Sequence, residues 1–465
     1  MIGDSDSTFQ MLDLLQIIFN WLYYIGGFLL SFWWIYLPLI LFLLVKDLWL
    51  KKVRQKFIQE MDWVLLEVRP PREIKKTPRA MEQFFAGLHG VQSTPNWKER
   101  NIKGETQRWF SLEMVSQAGE TRFFIRTVSM FRDLVEAQIY AQYPEAEISQ
   151  VNDYIDSIPS DILNKNYDLW GTELVLVKED AYPIRTYPDF EKDISMQEQR
   201  IDPAASLLEV MSKLKEGEQI WIQTLVRPVT DDWKKAGEEL RDKLFGRQVE
   251  RKQGELRKEV IAWKKAGRQV AHQMVTGEPA EAGAEEEKEK AEIPLLWRTT
   301  KAEQEVIYAI EENISKIGFE VIIRFIYLAP VAIFAKPNVS AVIGCYKQFN
   351  TQHLNGFKPN TKITPDINYK IQAKKTREAY RKKKILTDYK KRDFVQQSKV
   401  IKYLKPSFFK RLSILNWFFI RSKPFVFNIE ELATVYHYPG LMVKAPLVPK
   451  VEAKKGEPPV GLPIE

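Results

Sequence analysis

The chain has 465 residues, of which 45% are hydrophobic and 28% charged. This length leaves room for about two to four domains with hydrophobic cores, and the composition excludes a chain that is disordered throughout. One cysteine and four scattered histidines exclude a disulfide framework and a multi-cysteine zinc site, so we expect no metal and no cofactor.

The N-terminal region has no charged residue from Leu14 to Val45. Gly26-Gly27 divides this stretch, and we expect an interfacial helix over residues 1–27 and a transmembrane helix over residues 28–50. Lysines and arginines follow the second segment, whereas only acidic residues precede it. The positive-inside rule therefore predicts a single-pass protein of the inner cell membrane, with its N-terminus outside and its C-terminal body in the cytoplasm.

The pattern from Asp62 onward alternates short strands with capped helices. Residues 62–152 predict the order β-α-β-β-α-β of a ferredoxin-like module, with Trp63 to Arg69 as its first strand. Residues 172–229 and 297–350 repeat that order incompletely. The predicted fold class is therefore α+β: an N-terminal transmembrane helix followed by two ferredoxin-like (split βαβ) modules, the second with a long helical insertion.

The insertion covers residues 230–296. Large apolar residues recur there at spacings of mostly seven and four among dense charges, which indicates helices with a coiled-coil-like seam. An acidic, proline-bounded loop follows and has the composition of a mobile segment. A partner-binding arm and an inert solvated hairpin both fit this pattern.

The sequence contains none of the common catalytic or phosphate-binding motifs: GxxxxGK[ST], GxGxxG after a strand, HExxH or GxSxG. Cys345 lies in a helical stretch, where a buried small thiol is expected. His437 lies at the end of a short predicted helix, where a ring that caps the helix C-terminus is expected. We therefore predict a non-catalytic protein.

The net charge of +8 is unevenly distributed, because residues 370–423 contain 18 Lys and Arg against three acidic residues. This basic connector, residues 360–425, fits a nucleic-acid track, an anionic membrane surface or a solvated linker. Charge alone does not separate these alternatives. The candidate nucleic-acid or lipid contacts are Lys374, Lys375, Arg377, Arg381, Lys382, Lys383, Lys384, Lys390, Lys391, Arg392, Lys410 and Arg411.

The C-terminal strap, residues 426–465, carries a family signature. "FNIEELATVYHYPG", in which Asn428 to His437 predicts one short helix, and "VPKVEAKKGEPPVGLP" resemble the segment that precedes a HerA-like or coupling-protein ATPase domain in bacterial conjugative DNA-transfer proteins of the type IV secretion class. "DPAASLLEVMSKLKEGEQIWIQTLVRP" and "FRDLVEAQIYAQYPEAEISQVNDY" are also similar to that family. The resemblance covers the chain from about Trp63 onward, without the helical arm.

The resemblance implies a membrane anchor and assembly subunit, in an oligomeric ring, that docks a separate transfer ATPase. The alternative is a membrane-tethered protein that binds nucleic acid without a motor. The expected partners are membrane lipid, the ATPase, DNA and further copies of this chain. The candidate docking residues are Glu430, Glu431, Leu432, Tyr436, His437, Pro439, Glu457, Pro458, Pro459, Leu462 and Pro463.

Overall fold

The computed structural model describes residues 27, 31, 33–71, 74, 76–158, 166–191, 201–245, 300–366, 374–394 and 424–440. These belong to two compact units. The first contains the N-terminal residues up to Asp62 together with residues 93–107. The second contains the remaining described residues and holds the sheet.

The first unit is built around helix α1 (Trp33–Gln59), against which a π-helical turn, Glu99–Lys103, packs. Gly104 ends that turn with φ 73°, and a Cβ there would lie 2.8 Å from the backbone nitrogen of Arg54, so glycine is required for this close approach. Helix α1 exposes large apolar side chains between Trp34 and Trp49. These include Leu41, Phe42, Val45, Leu48 and Trp49.

The second unit contains one antiparallel sheet of nine strands. The strands are β1 (Trp63–Arg69), β2 (Phe110–Gln117), β3 (Glu120–Val128), β4 (Glu147–Val151), β5 (Tyr167–Leu176), β6 (Gln219–Pro228), β7 (Gly318–Pro330), β8 (Phe357–Pro359) and β9 (Phe425–Asn428). Their order is β4-β1-β3-β2-β6-β7-β5-β8, and β9 pairs with β7.

The two halves of this sheet repeat one strand order and meet at β2 and β6. These strands pair along their length, from Phe110 opposite Val226 to Gln117 opposite Gln219. The hydrogen-bond ladder therefore continues from one half into the other, and both halves share one hydrophobic core.

The predicted fold class is wrong in two respects. The sheet is continuous through the β2–β6 pairing, so the strands form a single nine-stranded layer where two ferredoxin-like modules were expected. Within the described parts of the chain, no helix is both long and apolar enough to cross a membrane. The helix expected to end near residue 50 continues to Gln59 through Lys51, Lys52 and Lys56.

The helices of the second unit pack against both faces of the sheet. They are α2 (Arg79–His89), α3 (Arg132–Gln142), α4 (Tyr187–Glu191), α5 (Ala205–Ser212), α6 (Asp232–Leu244), α7 (Lys301–Ser315), α8 (Lys336–Lys347), α9 (Lys374–Lys391) and α10 (Ile429–Val435). Apolar residues from α2, α3, α5, α8 and α10 join the alternating inward residues of the strands in one cluster. Burial of this apolar surface is the main source of stability.

The start of the predicted helical arm packs back onto the second unit. Helix α6 lies against α7, with Trp233 and Leu240 beside the buried Ile310 and Ile314. Gly237 allows this contact, because a Cβ there would lie 2.4 Å from Cγ2 of Ile314. Residues 246–299, which contain the rest of the predicted arm and its acidic loop, lie outside the described residues.

Candidate docking segment and a buried polar network

The first residues of the predicted strap form part of the sheet. Strand β9 pairs with β7 from Phe425 opposite Val321 to Asn428 opposite Gly318. Phe427 is fully buried, and its ring centroid lies 5.8 Å from that of Phe357 in β8. The segment therefore enters the core as a strand before it turns into α10.

Helix α10 begins with a capping box. The Asn428 side chain accepts a hydrogen bond from the Glu431 backbone N–H at 2.8 Å, and the Glu431 carboxylate accepts one from the Asn428 N–H at 3.0 Å. These contacts satisfy two donors that a helix start leaves unpaired. The Asn428 amide also donates to Oδ1 of Asn313 at 2.8 Å, which joins α10 to α7.

Glu431 is a fully buried carboxyl group. Its other oxygen accepts a hydrogen bond from the Ile184 N–H at 3.0 Å. Burial raises the pKa of Glu431 to about 8, although the two backbone N–H groups act in the opposite direction. This carboxyl is committed to internal bonds and offers no surface to a partner.

The end of α10 is fixed by one carboxylate, that of Asp202, just before α5. Oδ1 of Asp202 lies 2.8 Å from Nε2 of His437 and accepts from the Ala204 N–H at 2.8 Å, while Oδ2 accepts from the Gly440 N–H at 2.8 Å. Burial opposes ionisation of Asp202, but these contacts outweigh it and hold the pKa of this carboxyl below its ordinary value. Nδ1 of His437 lies 2.9 Å from the Ala433 carbonyl, which is the helix-capping contact that the sequence predicts.

Two tyrosines after α10 complete the packing. The Tyr438 ring lies edge-on to the rings of Phe123 and Tyr143, with centroids at 5.3 and 5.2 Å. Tyr436 also packs against Phe123, at 6.4 Å. The segment from Phe425 to Gly440 is thus an integral part of the second unit.

The structure places most of the described docking candidates inside the protein. Leu432, Tyr436 and His437 are buried and contact this chain's own helices and strands. Pro439 is buried, and Glu430 is half-buried in an ion pair with Lys316. The remaining candidates lie outside the described residues: Glu457, Pro458, Pro459, Leu462 and Pro463. A docking surface on the strap must therefore lie beyond Gly440.

The basic connector contains helix α9, and several of its cations bind within the chain. Arg381 donates to the Thr364 carbonyl at 2.6 Å, and Lys390 donates to the Ile158 carbonyl at 3.0 Å. Lys382 pairs with Asp168, and Lys384 pairs with Asp388 at 2.7 Å. Arg381, Lys382 and Lys390 therefore hold α9 to other parts of the second unit, whereas the Lys384–Asp388 pair lies within α9 itself.

The other predicted basic contacts divide into exposed residues and residues that the structure leaves undescribed. Lys374, Lys375, Lys383 and Lys391 are exposed, and Arg377 is half-buried. Lys410 and Arg411 lie outside the described residues. Among the described candidates, the four exposed lysines could contact phosphate groups at the surface.

Arg392, also predicted as a surface contact, is buried to 1% exposure. Its guanidinium binds the Glu113 carboxylate through two bonds, Nε to Oε1 at 2.6 Å and Nη2 to Oε2 at 2.8 Å. It also pairs with Asp153. Arg392 has φ 48°, a left-handed conformation that favours glycine, so the ion pairs stabilise a strained residue at the end of α9. The prediction of a nucleic-acid or lipid contact at Arg392 is wrong, because its charge is neutralised inside the protein.

The Arg392 site is one end of a polar row that crosses four strands. Glu113, Gln223, Arg324 and Glu173 stand opposite one another on β2, β6, β7 and β5. The Gln223 amide donates to Glu113 at 3.1 Å, while Arg324 donates to Gln223 at 3.0 Å and to Glu173 at 3.0 Å. These four side chains are buried on the face opposite the main apolar core.

Helix α9 covers this row and adds hydrogen bonds at its Glu113 end. Tyr389 lies 2.8 Å, hydroxyl to hydroxyl, from Tyr154, which in turn donates to Glu113 at 2.8 Å. The network was missed at the sequence level. Its signal is the charged Arg324 inside the apolar run "VIIRFIYL", since such charges are buried only when they are paired.

The described residues hold no cluster of His, Cys, Asp and Glu that could bind a metal ion. Cys345 is half-buried in α8, and burial raises the pKa of its thiol, which keeps the thiol protonated and unreactive. Glu113, Arg392 and Glu431, whose pKa values burial and their partners shift, are all bonded to their own chain.

The fold and the polar row define an α+β protein whose sheet is held from both faces by its own helices. A family model described as a domain of unknown function (DUF8128) matches residues 46–398, so the chain belongs to the DUF8128 family. The match includes all of the polar row and ends before β9 and α10. No curated protein matches the sequence.

Proposed function

We propose that this chain is a non-catalytic assembly subunit of a DNA-transfer machine of the type IV secretion class, and that the strap after Gly440 docks a separate ATPase. The observation that carries the proposal is the fixed origin of this strap. Gly440, the last described residue, donates its N–H to Asp202 at 2.8 Å. The resemblance of the strap sequence to the segment before an ATPase domain supplies the identity of the partner.

A fixed origin suits a docking strap for an entropic reason. A tethered partner is held at an effective concentration that depends on the length and stiffness of the tether, which is counted from the last fixed residue. The β9 pairing, the Asn428 cap and the Asp202 bonds together fix the residues that precede the strap. A partner bound there would be kept beside the second unit.

The buried carboxyl groups of Glu113 and Glu431 are bonded within the chain, and this supports a non-catalytic role. A general base or nucleophile must reach its substrate within hydrogen-bond distance. Glu113 lies fully buried under Arg392 and Tyr154, and Glu431 lies fully buried in its capping box. The hydrogen bonds of these two carboxyl groups hold α9 and α10 in place.

The exposed apolar side chains of α1 support a location at the cell membrane. Leu41, Phe42, Val45 and Leu48 are exposed, and the exposed cations Lys46, Lys51 and Lys52 accompany them. Apolar side chains beside lysines favour contact with an anionic lipid surface. This contact is measured by flotation of the full chain with liposomes that contain anionic lipid. The comparison is a variant that carries Leu41→Gln and Leu48→Gln.

Docking is tested by co-purification of the full chain with each phosphate-loop ATPase encoded in the same gene cluster. We expect the ATPase to co-elute with the full chain and to be lost from a chain that ends at Gly440. A second variant, Glu457→Lys with Leu462→Asp, should also lose it. Truncation at Gly440 leaves every described contact of α10 in place, so its thermal unfolding should match that of the full chain.

A chain that ends at Phe427 is the informative contrast. It lacks α10, and with it the buried Leu432 and Tyr436, so it should unfold at a lower temperature and is unsuitable as a docking test. Capture of the ATPase by the chain that ends at Gly440, at the level of the full chain, would refute the proposal.

A further inference from the structure

We propose that the outer face of α9 binds single-stranded DNA, with its cations on the phosphate groups and the ring of Tyr380 against a base. The inference deepens the proposed function, on which it rests for the choice of DNA as the polymer. It begins with the charge of α9, which contains nine Lys and Arg and two acidic residues. The cations that the chain itself does not bind are the ones that could meet a polyanion.

Five of the nine cations of α9 are bound within the chain. Lys374 and Lys384 pair with the two acidic residues of the helix, and the other three bind Asp168 or backbone carbonyls elsewhere in the second unit. Among the described residues, the remaining four cations form no ion pair. They are Lys375, Arg377, Lys383 and Lys391.

Arg377, Lys383 and Lys391 lie on one side of α9. At about 100° per residue, all three fall within about 60° of Tyr380, whose side chain is 41% exposed. Tyr389 lies on the opposite side of the helix and is fully buried against the sheet. The three cations therefore form a strip about 21 Å long and one helix wide, which points away from the sheet.

The outer face of α9 lacks the apolar side chains that contact with lipid requires. An interfacial helix turns its apolar face to the bilayer, whereas Ile385 and Leu386 of α9 are buried within the second unit. The exposed side of the helix carries cations, one aromatic ring and the hydroxyl groups of Thr376 and Thr387. The charge of this face therefore suits a hydrated polyanion better than a bilayer.

An exposed ring among the cations favours a single strand over a duplex. Unpaired bases can stack on an aromatic side chain while Lys and Arg follow the backbone, and this arrangement needs no particular base sequence. Tyr380 lies one helical turn from Arg377 on one side and from Lys383 on the other. A base on this ring would bring its neighbouring phosphate groups beside the two cations.

A further cation without an ion pair among the described residues lies at the C-terminal end of α9. Trp109 donates its indole N–H to the Arg392 carbonyl at 2.8 Å and packs on Trp63, with ring centroids 5.2 Å apart. The half-buried guanidinium of Arg126 lies 4.1 Å from the Trp63 ring centroid. Burial and the charge of Arg392 lower the pKa of Arg126 to about 10, and the acidic groups that oppose this shift are both bonded to Arg392. Arg126 is thus charged at neutral pH, and a phosphate group fits its donors.

The proposal is tested by fluorescence anisotropy of the full chain with a labelled, unstructured single strand of about 16 nucleotides. The variant carries Arg377→Gln, Lys383→Gln and Lys391→Gln. We expect it to bind at least about tenfold more weakly than the wild-type chain at about 0.15 M salt. Its plot of log affinity against log salt should be shallower by about 2, because each lost phosphate contact removes about 0.7.

The matched control removes the same charge from the other face of the sheet. It carries Lys213→Gln, Lys215→Gln and Lys336→Gln, at exposed positions in or next to α5 and α8. These two helices contribute to the apolar core, on the face opposite α9. The control variant should bind the single strand as the wild-type chain does.

Two single substitutions test the ring and the end of the strip. Tyr380→Ala should weaken binding of the single strand at least about fivefold and leave binding of a duplex of the same length unchanged, because only unpaired bases stack on a side chain. Arg126→Gln should make the salt plot for the single strand shallower by about 0.7.

Equal affinities of the triple variant and its control would overturn the proposal. Tighter binding of the duplex than of the single strand, with no effect of Tyr380→Ala, would overturn the choice of a single strand. If the triple variant lost flotation with anionic liposomes and kept its affinity for DNA, the strip would belong to lipid. ATPase docking is measured separately: its failure beside the expected losses of DNA affinity refutes the docking proposal alone, and its success beside unchanged DNA affinities refutes the DNA strip alone.

Discussion

The guanidinium of Arg392 and the carboxylate of Glu113 are 279 positions apart in the chain and form a two-bond ion pair, at 2.6 and 2.8 Å, beneath the surface of the sheet. Arg392 ends α9, and Glu113 lies on β2, so the pair holds the helix that closes this face. The pair also explains why α9, which belongs to a segment rich in lysine and arginine, packs against the sheet. The buried Arg392 neutralises a carboxylate to which the sheet itself supplies only uncharged hydrogen-bond donors among the described residues.

Removal of one partner should therefore be costly. Arg392→Ala leaves Glu113 and Asp153 as unpaired carboxylates, of which Glu113 is fully buried. We expect a loss of about 3–5 kcal/mol in the free energy of unfolding, measured by urea denaturation. Lys391→Ala, at the exposed neighbouring position, is the matched control and should change the free energy by less than about 0.5 kcal/mol. Similar losses in both variants would show that the pair does not hold α9.

The same pair predicts sensitivity to acid. Burial opposes ionisation of Glu113 and Asp153, but Arg392 outweighs it and lowers the pKa of both carboxyls. An acid whose pKa is lower in the folded state adds stability above its ordinary pKa, and that stability is lost as the pH falls through the folded value. We expect the free energy of unfolding to fall below about pH 4.5, with a smaller slope in Glu113→Gln than in the wild-type chain. Equal slopes from urea titrations at pH 3 to 6 would contradict this assignment.

Local pattern was sufficient to place many of the strands. The strand predicted over Trp63 to Arg69 is present with those bounds. Asn428 followed by Glu431 marks the start of α10, a signal that the sequence carries at the correct spacing. Alternation and capping depend on neighbouring residues, and for that reason they can be predicted without the fold.

Pairing across the chain could not be predicted in this way. Side chains alternate along β2, so Glu113 lies on one face of the sheet while Leu112 and Met114 lie on the other. This is the pattern of a solvent-facing residue. In the structure that face is covered by α9, which begins more than 250 positions later. The apolar residues of α10 were interpreted as a surface for another protein for the same reason. Leu432 does pack against an apolar surface, but that surface is formed by this chain's own sheet and helices.

Glu431 should give the opposite pH dependence from Glu113. Burial raises its pKa to about 8 in the folded chain, whereas an unfolded glutamate titrates near 4.3. The folded state therefore holds a proton that the unfolded state releases, so this contribution to stability declines as the pH rises from about 4.5 to about 8 and is constant above that. The free energy of unfolding of the wild-type chain should fall more steeply over this range than that of Glu431→Gln. Parallel curves would show that Glu431 stays ionised in the fold.

The cap of α10 should contribute more stability than an exposed cap. Asn428→Ala removes the bond to the Glu431 N–H and leaves the buried Asn313 without its 2.8 Å donor. We expect a loss of about 2 kcal/mol or more, measured by thermal or urea unfolding. Thr300→Ala is the matched control, because Thr300 makes the same capping box at the exposed start of α7 and should cost about 1 kcal/mol. A smaller loss for Asn428→Ala than for Thr300→Ala would contradict the role assigned to this asparagine.

Two glycines inside helices provide a test of how α6 meets α7. A Cβ at Gly344 in α8 has no neighbouring atom within 4 Å, whereas a Cβ at Gly237 in α6 lies 2.4 Å from Ile314 and 3.5 Å from Ala181. Alanine is favoured over glycine in a helix interior, so Gly344→Ala should raise the free energy of unfolding by about 0.5–1 kcal/mol. Gly237→Ala has the same intrinsic gain but forces α6 away from Ile314. It should therefore leave stability unchanged or lower it and increase hydrogen exchange in α6. A gain in both variants would show that α6 does not pack on α7 as the structure describes.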